Sequence, residues 1–299
     1  MLLKRPGFAV IAVLAFSLGV GAIGLKHGLV GVAQGEPQIS LDGDWIGGWQ
    51  DKGEWVSVKA QFKTEQGTLK ATFDLLQALE GPKSFTVGKV SLTGAAFRLE
   101  ATKDAVILVL EGRLDGATIK GEWRRADERG AFTLLRVARV EPKLFDQYVG
   151  SYQLGPDNFI SIGRQTRTGQ NPRLCYVERK SGRRGNLTPL SDMTFIGGPA
   201  LGLDYPADVQ ITFVKNSRGE IEGLQWRRGQ AKEMFAKTLR LKEEEVKFPS
   251  GAHVLAGTLA PPPTQGPHPA VVLAHGASPL HRHYFGPDPY MYPAHGVAV

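Results

Sequence analysis

The feature that most constrains the fold is a series of short segments, between residues 38 and 139, in which apolar and polar residues alternate. Residues 55–62 and 68–75 both show this period of two, which is typical of half-buried strands. Turn signals such as Gln66-Gly67 and Asp115-Gly116 separate the segments. Many antiparallel strands at even spacing predict a small up-and-down barrel or a sandwich, and therefore a mainly β fold.

Four of the five tryptophans lie in this region, namely Trp45, Trp49, Trp55 and Trp123. They could line a ligand cavity, or they could fill the interior, as the side chains of small barrels do. Trp45 and Trp49 are the candidate residues of an apolar pocket. The recurring Gly-x-Trp and Gly-x-Phe-x-Leu-x-Arg patterns resemble those of lipocalin-like modules in exported bacterial proteins. The resemblance implies a lipocalin-like β domain at residues 38–140.

A second β-rich segment follows at residues 143–240, after Glu141-Pro142 interrupts the alternation. It opens with Phe145, Tyr148, Gly150 and Tyr152. These residues resemble the start of the small β domain that bacterial serine hydrolases often carry beside the catalytic domain. The resemblance implies a second small antiparallel β domain with a structural or substrate-gating role. Within it, residues 209–214 and 221–226 flank the turn residues 216–219 and predict a hairpin.

The last part of the sequence changes in character from alternating segments to continuous apolar runs. Residues 270–274 are apolar throughout, which predicts a strand that is buried on both faces of a parallel sheet. Residues 288–294 can form a helix despite their prolines, and residues 296–299 start another apolar strand. Strand, polar turn, helix and strand in this order predict one βαβ unit.

Residues 246–260, then Pro261-Pro262-Pro263, then residues 270–276 resemble the opening of an α/β-hydrolase domain, closest to exported esterases and serine aminopeptidase-like hydrolases. The resemblance implies that the loop after the apolar strand supplies a backbone N–H to the oxyanion hole. This oxyanion loop is His275, Gly276, Ala277 and Ser278. Tyr284 and Phe285, which follow the loop, are candidate substrate contacts. The resemblance thus implies a third region at residues 246–299, the start of an α/β-hydrolase sheet with strands and one helix.

The sequence lacks the remaining catalytic parts of such an enzyme. An α/β-hydrolase carries Gly-x-Ser-x-Gly, then an acid, then a histidine, in that chain order. Residues 215–219 match only half of the first pattern and predict a hairpin turn. We therefore expect an incomplete hydrolase domain, the N-terminal part of an exported serine hydrolase that acts on carboxylic esters or on small acyl or peptide substrates, inactive alone. The alternative is a non-catalytic periplasmic β-barrel protein that binds an apolar ligand or a partner.

The net charge of +7 does not by itself indicate a nucleic-acid partner, because the basic residues are scattered. The densest group comprises Arg164, Arg167, Arg173, Arg179, Lys180, Arg183 and Arg184. No helix-turn-helix pattern, Gly-rich phosphate loop or stacked-aromatic motif accompanies it. We interpret the group as the solvated face of a hairpin.

The N-terminus has the organisation of a targeting segment. Lys4 and Arg5 precede an apolar run at residues 8–25, and small residues at 31–33 offer a cleavage site. Residues 1–33 are therefore expected to be a signal peptide, or else an uncleaved anchor in the inner membrane. Both alternatives predict an exported protein, periplasmic or secreted. The single cysteine, Cys175, excludes an intramolecular disulfide and lies in an apolar run that predicts burial.

Five of the seven histidines lie near the C-terminal end: His268, His275, His281, His283 and His295. The pair at 281 and 283 has a spacing that some metal sites use, but a zinc site needs a third ligand and usually a fourth. No such ligand pattern follows, so we expect neither a metal nor a cofactor. His295, before Gly296, is expected at the C-terminal end of the helix, where a positive charge suits the helix dipole.

Overall fold

The computed structural model describes residues 40–76, 83–166, 171–199, 203–274 and 282–299. The predicted mainly β fold is confirmed: two antiparallel eight-stranded barrels are followed by a small additional sheet and one short helix. The first barrel consists of β1 (Gly43–Asp51), β2 (Glu54–Glu65), β3 (Thr68–Leu76), β4 (Lys83–Thr93), β5 (Ala96–Lys103), β6 (Val106–Asp115), β7 (Thr118–Arg125) and β8 (Glu128–Arg136). Each strand pairs with the next, and β8 pairs with β1 to close the barrel.

Tight turns join several of these strands because their residues adopt the backbone that such turns require. Lys52 and Gly53 between β1 and β2 both have positive φ values, 50° and 87°, as do Gln66 and Gly67 between β2 and β3. Two successive residues with positive φ are typical of the two-residue turns that match the twist of an antiparallel hairpin. The local sequence therefore sets the register in which β1, β2 and β3 pair.

The interior of the first barrel is filled with aromatic and aliphatic side chains. Trp45, Phe62, Phe97 and Phe132 form a chain of ring contacts with centroid separations between 5.7 and 6.4 Å. A large aromatic side chain buries up to about 250 Å² and dominates the energetics of a small core. The alternation in the sequence is thus explained by one set of residues that faces this interior.

One end of the first barrel is closed by a residue from the segment that precedes β1. Leu41 is buried, and its carbonyl accepts a hydrogen bond of 2.9 Å from the Trp45 indole. The Arg136 guanidinium lies over the Trp45 ring at 4.5 Å from its centroid. Arg136 also donates to the carbonyls of Ser40 and Asp42. These contacts fix the first and last strands to each other at the end of the barrel.

The second barrel follows a 3₁₀ helix, Pro142–Gln147. Its strands are β9 (Gly150–Gly155), β10 (Asn158–Gln165), β11 (Arg173–Glu178), β12 (Arg183–Pro189), β13 (Thr194–Gly197), β14 (Val209–Lys215), β15 (Ile221–Arg228) and β16 (Met234–Leu239), and β16 pairs with β9 to close it. The predicted hairpin is confirmed as β14 and β15. The Asn216 side chain forms its turn by accepting from the backbone N–H groups of Arg218 and Glu220.

The core of the second barrel is built around buried tyrosines. The Tyr148 ring stacks on Phe213 at 4.3 Å, and its hydroxyl donates to the Asp192 carbonyl at 2.6 Å. The Tyr152 hydroxyl donates to the Tyr148 carbonyl at 2.7 Å, and burial raises the pKa of Tyr152. Cys175 is buried, as predicted. Because both hydroxyls have partners, the tyrosines fill the core without leaving these polar groups unsatisfied.

Candidate functional site

The third region is a small sheet formed by a hairpin and two short extended segments. The hairpin consists of β17 (Glu244–Ser250) and β18 (His253–Leu259). Ala260, just after β18, exchanges two backbone hydrogen bonds with Val299, of 2.7 and 3.1 Å. Ala298 in turn forms a parallel bridge with Ala270. The order across the sheet is therefore the hairpin, then residues 297–299, then residues 269–271.

The helix α1 (Asp288–Ala294) lies in the connection between the two parallel segments, as the sequence predicts. His295 is the residue at its C-terminal cap, and Gly296, with a φ of 78°, follows it. Parallel strands need a long crossover connection, which is usually a helix. The observed connection has this form.

The parallel segments are shorter and more exposed than the sequence predicts. Residues 270–274 were expected to form a strand buried on both faces, but they contribute a single bridge, and the Val272 side chain is 88% exposed. Side chains of a strand are buried by elements that cover its two faces, and the helix α1 packs on β9 and β10 of the second barrel. Val271 and Leu273 are half-buried, whereas the face that carries Val272 is open to solvent.

The described part of this connection, residues 282–296, is called the crossover below. It packs against the outside of the second barrel. Ser151 on β9 donates a hydrogen bond of 2.6 Å to the Tyr290 carbonyl in α1 and lies 2.8 Å from the Ser161 hydroxyl on β10. Gly163 on β10 contacts the backbone at Gly286 and Pro287, so closely that a Cβ atom at position 163 would overlap with the Gly286 carbonyl group. The two elements thus meet backbone to backbone at the one residue of β10 that has no side chain in the way.

Polar contacts continue along the same surface. The Gln165 side-chain amide donates to the Tyr284 carbonyl at 3.3 Å, and Arg184 forms an ion pair of 3.2 Å with Asp288. Burial raises the pKa of Tyr290 to about 12. These contacts join β10 and β12 to the start and the middle of the crossover.

His295 completes the contact at the end of α1. Its Nδ1 accepts a hydrogen bond from the Arg179 guanidinium, and its ring meets Phe159 edge to face at 5.1 Å. Burial, and then the positive charge of Arg179, lower the pKa of His295 to about 4. The expected position at the helix end is therefore confirmed, but the expected positive charge is wrong, because the ring is neutral at pH 7. An imidazole that accepts from a guanidinium cannot carry a proton on the accepting nitrogen.

Only some residues of the predicted hydrolase site belong to the described part of the chain. His275, Gly276, Ala277 and Ser278 lie outside the described residues. Tyr284 and Phe285 lie in a 3₁₀ turn, Arg282–Phe285, with their rings 5.7 Å apart and the Tyr284 side chain at the surface. This turn ends just before α1 and lies against the second barrel, where the Tyr284 carbonyl accepts from Gln165 on β10.

Trp45 and Trp49, the candidates for an apolar pocket, both lie inside the first barrel. Trp45 is fully buried at the end closed by Leu41. Trp49 lies nearer the opposite end, 5.7 Å from Trp123 and stacked at 6.5 Å on Phe73. The indole N–H groups of Trp49 and Trp123 are buried and have no hydrogen-bond partner among the residues described. Their use as a pocket stays a prediction.

The described arginines of the basic group on the second barrel have local partners. Arg164 pairs with Asp146 at 2.9 Å, and Arg183 pairs with Asp208 at 2.6 Å. Arg184 pairs with Asp288, as described above. Three of these cations are therefore matched by carboxylates of the same chain. The phosphates of a nucleic acid would have to compete with these carboxylates for the three arginines.

Sequence reasoning missed the residues that hold the crossover, above all Gly163 and Ser151. An isolated glycine inside a strand often marks a close approach of another backbone, so Gly163 offered a signal that could have been used. Ser151 offered none, because its role depends on a partner more than a hundred residues away.

Within the described ranges, no three or more His, Cys, Asp or Glu side chains are grouped as metal ligands, and no helix there is both long and apolar enough to span a bilayer.

No protein-family model matches the chain, and a search of curated proteins found no match either. The class that the fold defines is a mainly β protein with two antiparallel eight-stranded barrels, a small additional sheet and a short helix. Since one fold can serve many functions, the function has to be argued from the third region and its contacts with the second barrel.

Proposed function

We propose that residues 246–299 form the start of an α/β-hydrolase sheet, and that the chain is part of an exported serine hydrolase that acts on carboxylic esters or on small acyl or peptide substrates. In this proposal, the loop of His275, Gly276, Ala277 and Ser278 supplies backbone N–H groups to the oxyanion hole. The observation that carries the proposal is the parallel bridge between Ala270 and Ala298, with α1 in the connection between them.

This observation supports the proposal because parallel pairing is rare outside α/β folds, where crossover helices cover the sheet. The rest of the described chain pairs antiparallel throughout its named strands. A change to parallel pairing after an antiparallel hairpin and a proline-rich link is what the resemblance implies for residues 246–299. In open α/β sheets, functional loops follow the carboxyl ends of the strands, and residues 275–278 follow such a segment.

The chemistry of the proposed loop is electrostatic. Backbone N–H groups directed at a carbonyl oxygen stabilise the negative charge that develops during acyl transfer, and removal of one such donor typically costs about 2.7–4 kcal/mol of transition-state stabilisation. The attacking hydroxyl must come from a residue on a strand-to-helix elbow, and the sequence holds no Gly-x-Ser-x-Gly pattern. We therefore expect the 299-residue chain alone to hydrolyse no ester.

The second barrel has a positioning role in this proposal. Ser151, Gly163, Gln165 and Arg184 hold the crossover directly after the proposed oxyanion loop. A loop that stabilises a transition state must keep its donors in place within a fraction of an ångström, so a rigid support beside it is favourable. The barrel supplies such a support through three strands and several independent contacts.

The first experiment reads the coding sequence beyond the Val299 codon in all frames. The proposal expects Gly-x-Ser-x-Gly, an acid and a histidine, in that order, and expects the extended protein to react with a serine-directed phosphonate. In that protein Ala277→Pro, which removes a backbone N–H, lowers turnover of a p-nitrophenyl ester about 100-fold or more. Ala277→Ser, which keeps the N–H, is the matched control. An unrelated gene at that place, or phosphonate-sensitive turnover by the 299-residue chain alone, would refute the proposal.

A second candidate function is the binding of an apolar ligand by the first barrel. The observation in its favour is the pair of buried indole N–H groups of Trp49 and Trp123, which have no partner in the described part of the protein. Buried donors normally find a partner, and a ligand with an acceptor group would provide one. A fatty acid should then change the tryptophan fluorescence, and Trp49→Phe should reduce the change. A spectrum that stays the same up to saturating ligand would count against this function.

A further inference from the structure

A cleft of about 590 Å³ lies between the two barrels. One wall is the outer surface of β1, β2 and β3 in the first barrel, and the other wall is formed by β12 and the residues that lead into β11. Ligand sites occur preferentially at such boundaries and have volumes of roughly 300–1,000 Å³. The cleft is separate from the third region, so it is independent of the proposed hydrolase function.

The first wall carries a free carboxylate. Asp74 on β3 lies directly opposite Lys59 on β2, a position in which the two would normally pair. The Lys59 ammonium instead lies 3.6 Å from the buried Asp204, whose charge it balances. No hydrogen bond or ion pair to the Asp74 carboxylate occurs within the described ranges. On β1, with β2 between it and Asp74, Asp44 accepts a hydrogen bond of 2.9 Å from Gln61, which leaves it further acceptor capacity.

The second wall carries donors. Arg173, at the start of β11, donates one hydrogen bond of 3.3 Å to Gln165, and a guanidinium has five N–H groups to offer. Asn186 on β12 is 8% exposed, and its side-chain carbonyl accepts from the Cys175 thiol at 3.5 Å. That contact orients the Asn186 side chain and leaves its two N–H donors for another acceptor. The cleft is therefore negative on one wall and positive, with amide donors, on the other.

From this arrangement we infer that the cleft binds a short peptide with free ends. The ammonium group pairs with Asp74 on the first wall, where Asp44 adds to the negative charge, and the carboxylate pairs with Arg173 on the second. Peptide groups between the two ends both donate and accept, as do the amides of Gln61 and Asn186. A ligand with charge of one sign alone would leave one wall unpaired, and an uncharged sugar would leave both charged walls without a partner.

The test is a calorimetric titration of the protein with trialanine. Saturable binding is expected, and either N-acetylation or C-terminal amidation of the peptide should weaken it. Asp74→Asn and Arg173→Gln should each raise the dissociation constant about two- to fivefold, the range expected for partly exposed ion pairs. Asp115→Asn, which alters an exposed carboxylate at the last residue of β6, is the matched control and should leave the affinity unchanged.

The pairing of each peptide end with its own residue provides a sharper test than the loss of affinity alone. Asp74→Asn should not weaken the N-acetylated peptide any further, but should still weaken the amidated one, and Arg173→Gln should show the opposite pattern. A general structural defect would weaken all forms alike and so would contradict the inference. Absence of trialanine binding, equal affinity for the capped and uncapped peptides, or tighter binding of maltotriose would overturn it.

Discussion

At the scale of single residues, Gly163 shows how the absence of a side chain positions a distant element. A Cβ atom there would overlap with backbone atoms at Gly286, which have little freedom to move away. Gly155 on the neighbouring strand β9 has no atom within 4 Å of the corresponding position. The two glycines therefore form a natural pair of test site and control.

We predict that Gly163→Ala displaces α1 from the second barrel and destabilises the protein by about 1–3 kcal/mol, the usual cost of an overpacked site. Urea unfolding measures the loss, and hydrogen exchange of residues 286–295 should become faster in the variant. Gly155→Ala should change neither quantity. If the amides of α1 stay as protected in Gly163→Ala as in the parent, the close backbone contact does not hold the helix.

His295 makes the same contact dependent on pH. Its pKa is about 4 in the folded chain, and the ordinary histidine value is 6.5. Above pH 6.5 the ring is neutral in both states, so the contact is fully formed. Between pH 6.5 and 4 the unfolded chain takes up a proton that the folded chain does not, and stability falls with pH.

We therefore expect the free energy of unfolding to decrease from pH 6.5 towards pH 4, with a smaller decrease in His295→Gln. Denaturant titrations at half-unit steps of pH measure the free energy of unfolding of the parent and of the variant. The difference between the two curves gives the contribution of His295. His268→Gln, which alters an exposed histidine outside the contact, is the control and should follow the parent curve. A His295→Gln curve parallel to the parent curve would show that this ring does not cause the pH dependence.

At the scale of elements, the first barrel depends on the contact that joins its first and last strands. Arg136 on β8 combines a ring contact with Trp45 and hydrogen bonds to two carbonyls before β1. Lysine cannot reproduce this combination, because it lacks the planar group and the fixed directions of the donors.

Arg136→Lys should destabilise the barrel by about 0.5–2 kcal/mol, the range of a partly desolvated cation–π contact. Thermal unfolding monitored by near-ultraviolet circular dichroism of the tryptophans measures this loss. Arg129→Lys, on the same strand but 78% exposed, should have no measurable effect. Equal melting temperatures for the two variants would mean that the closure depends on the apolar core alone.

The strands of both barrels could be predicted because their information is local. Alternation and turn residues such as Gln66-Gly67 occupy a few neighbouring positions. The choice between barrel and sandwich could not be made in this way, since it rests on the pairing of β1 with β8 across the whole domain. The exposure of Val272 was missed for a similar reason: an apolar run predicts burial, but the burial depends on neighbours that the run does not encode.

At the scale of the whole molecule, exposed apolar side chains are concentrated in the third region. Phe248, Val254, Leu255, Leu259 and Val272 are all at least 39% exposed. The residues of β17 and β18 are almost all exposed on both faces of the hairpin. The two barrels, by contrast, enclose their apolar residues in continuous cores. The molecule therefore combines two well-packed bodies with one sheet that offers apolar surface to solvent.

Such a surface should bind an apolar dye and favour self-association, because contiguous exposed apolar patches on soluble proteins mark interaction sites or aggregation sites. We predict that Val254→Lys combined with Leu255→Lys reduces the fluorescence of bound anilinonaphthalene sulfonate and lowers the apparent mass at high concentration in light scattering. Val106→Lys combined with Ile107→Lys places the same charges on two exposed apolar residues of the first barrel and serves as the control. If the control pair lowers dye binding as much as the hairpin pair, the apolar surface is spread over the molecule and the hairpin has no special part in it.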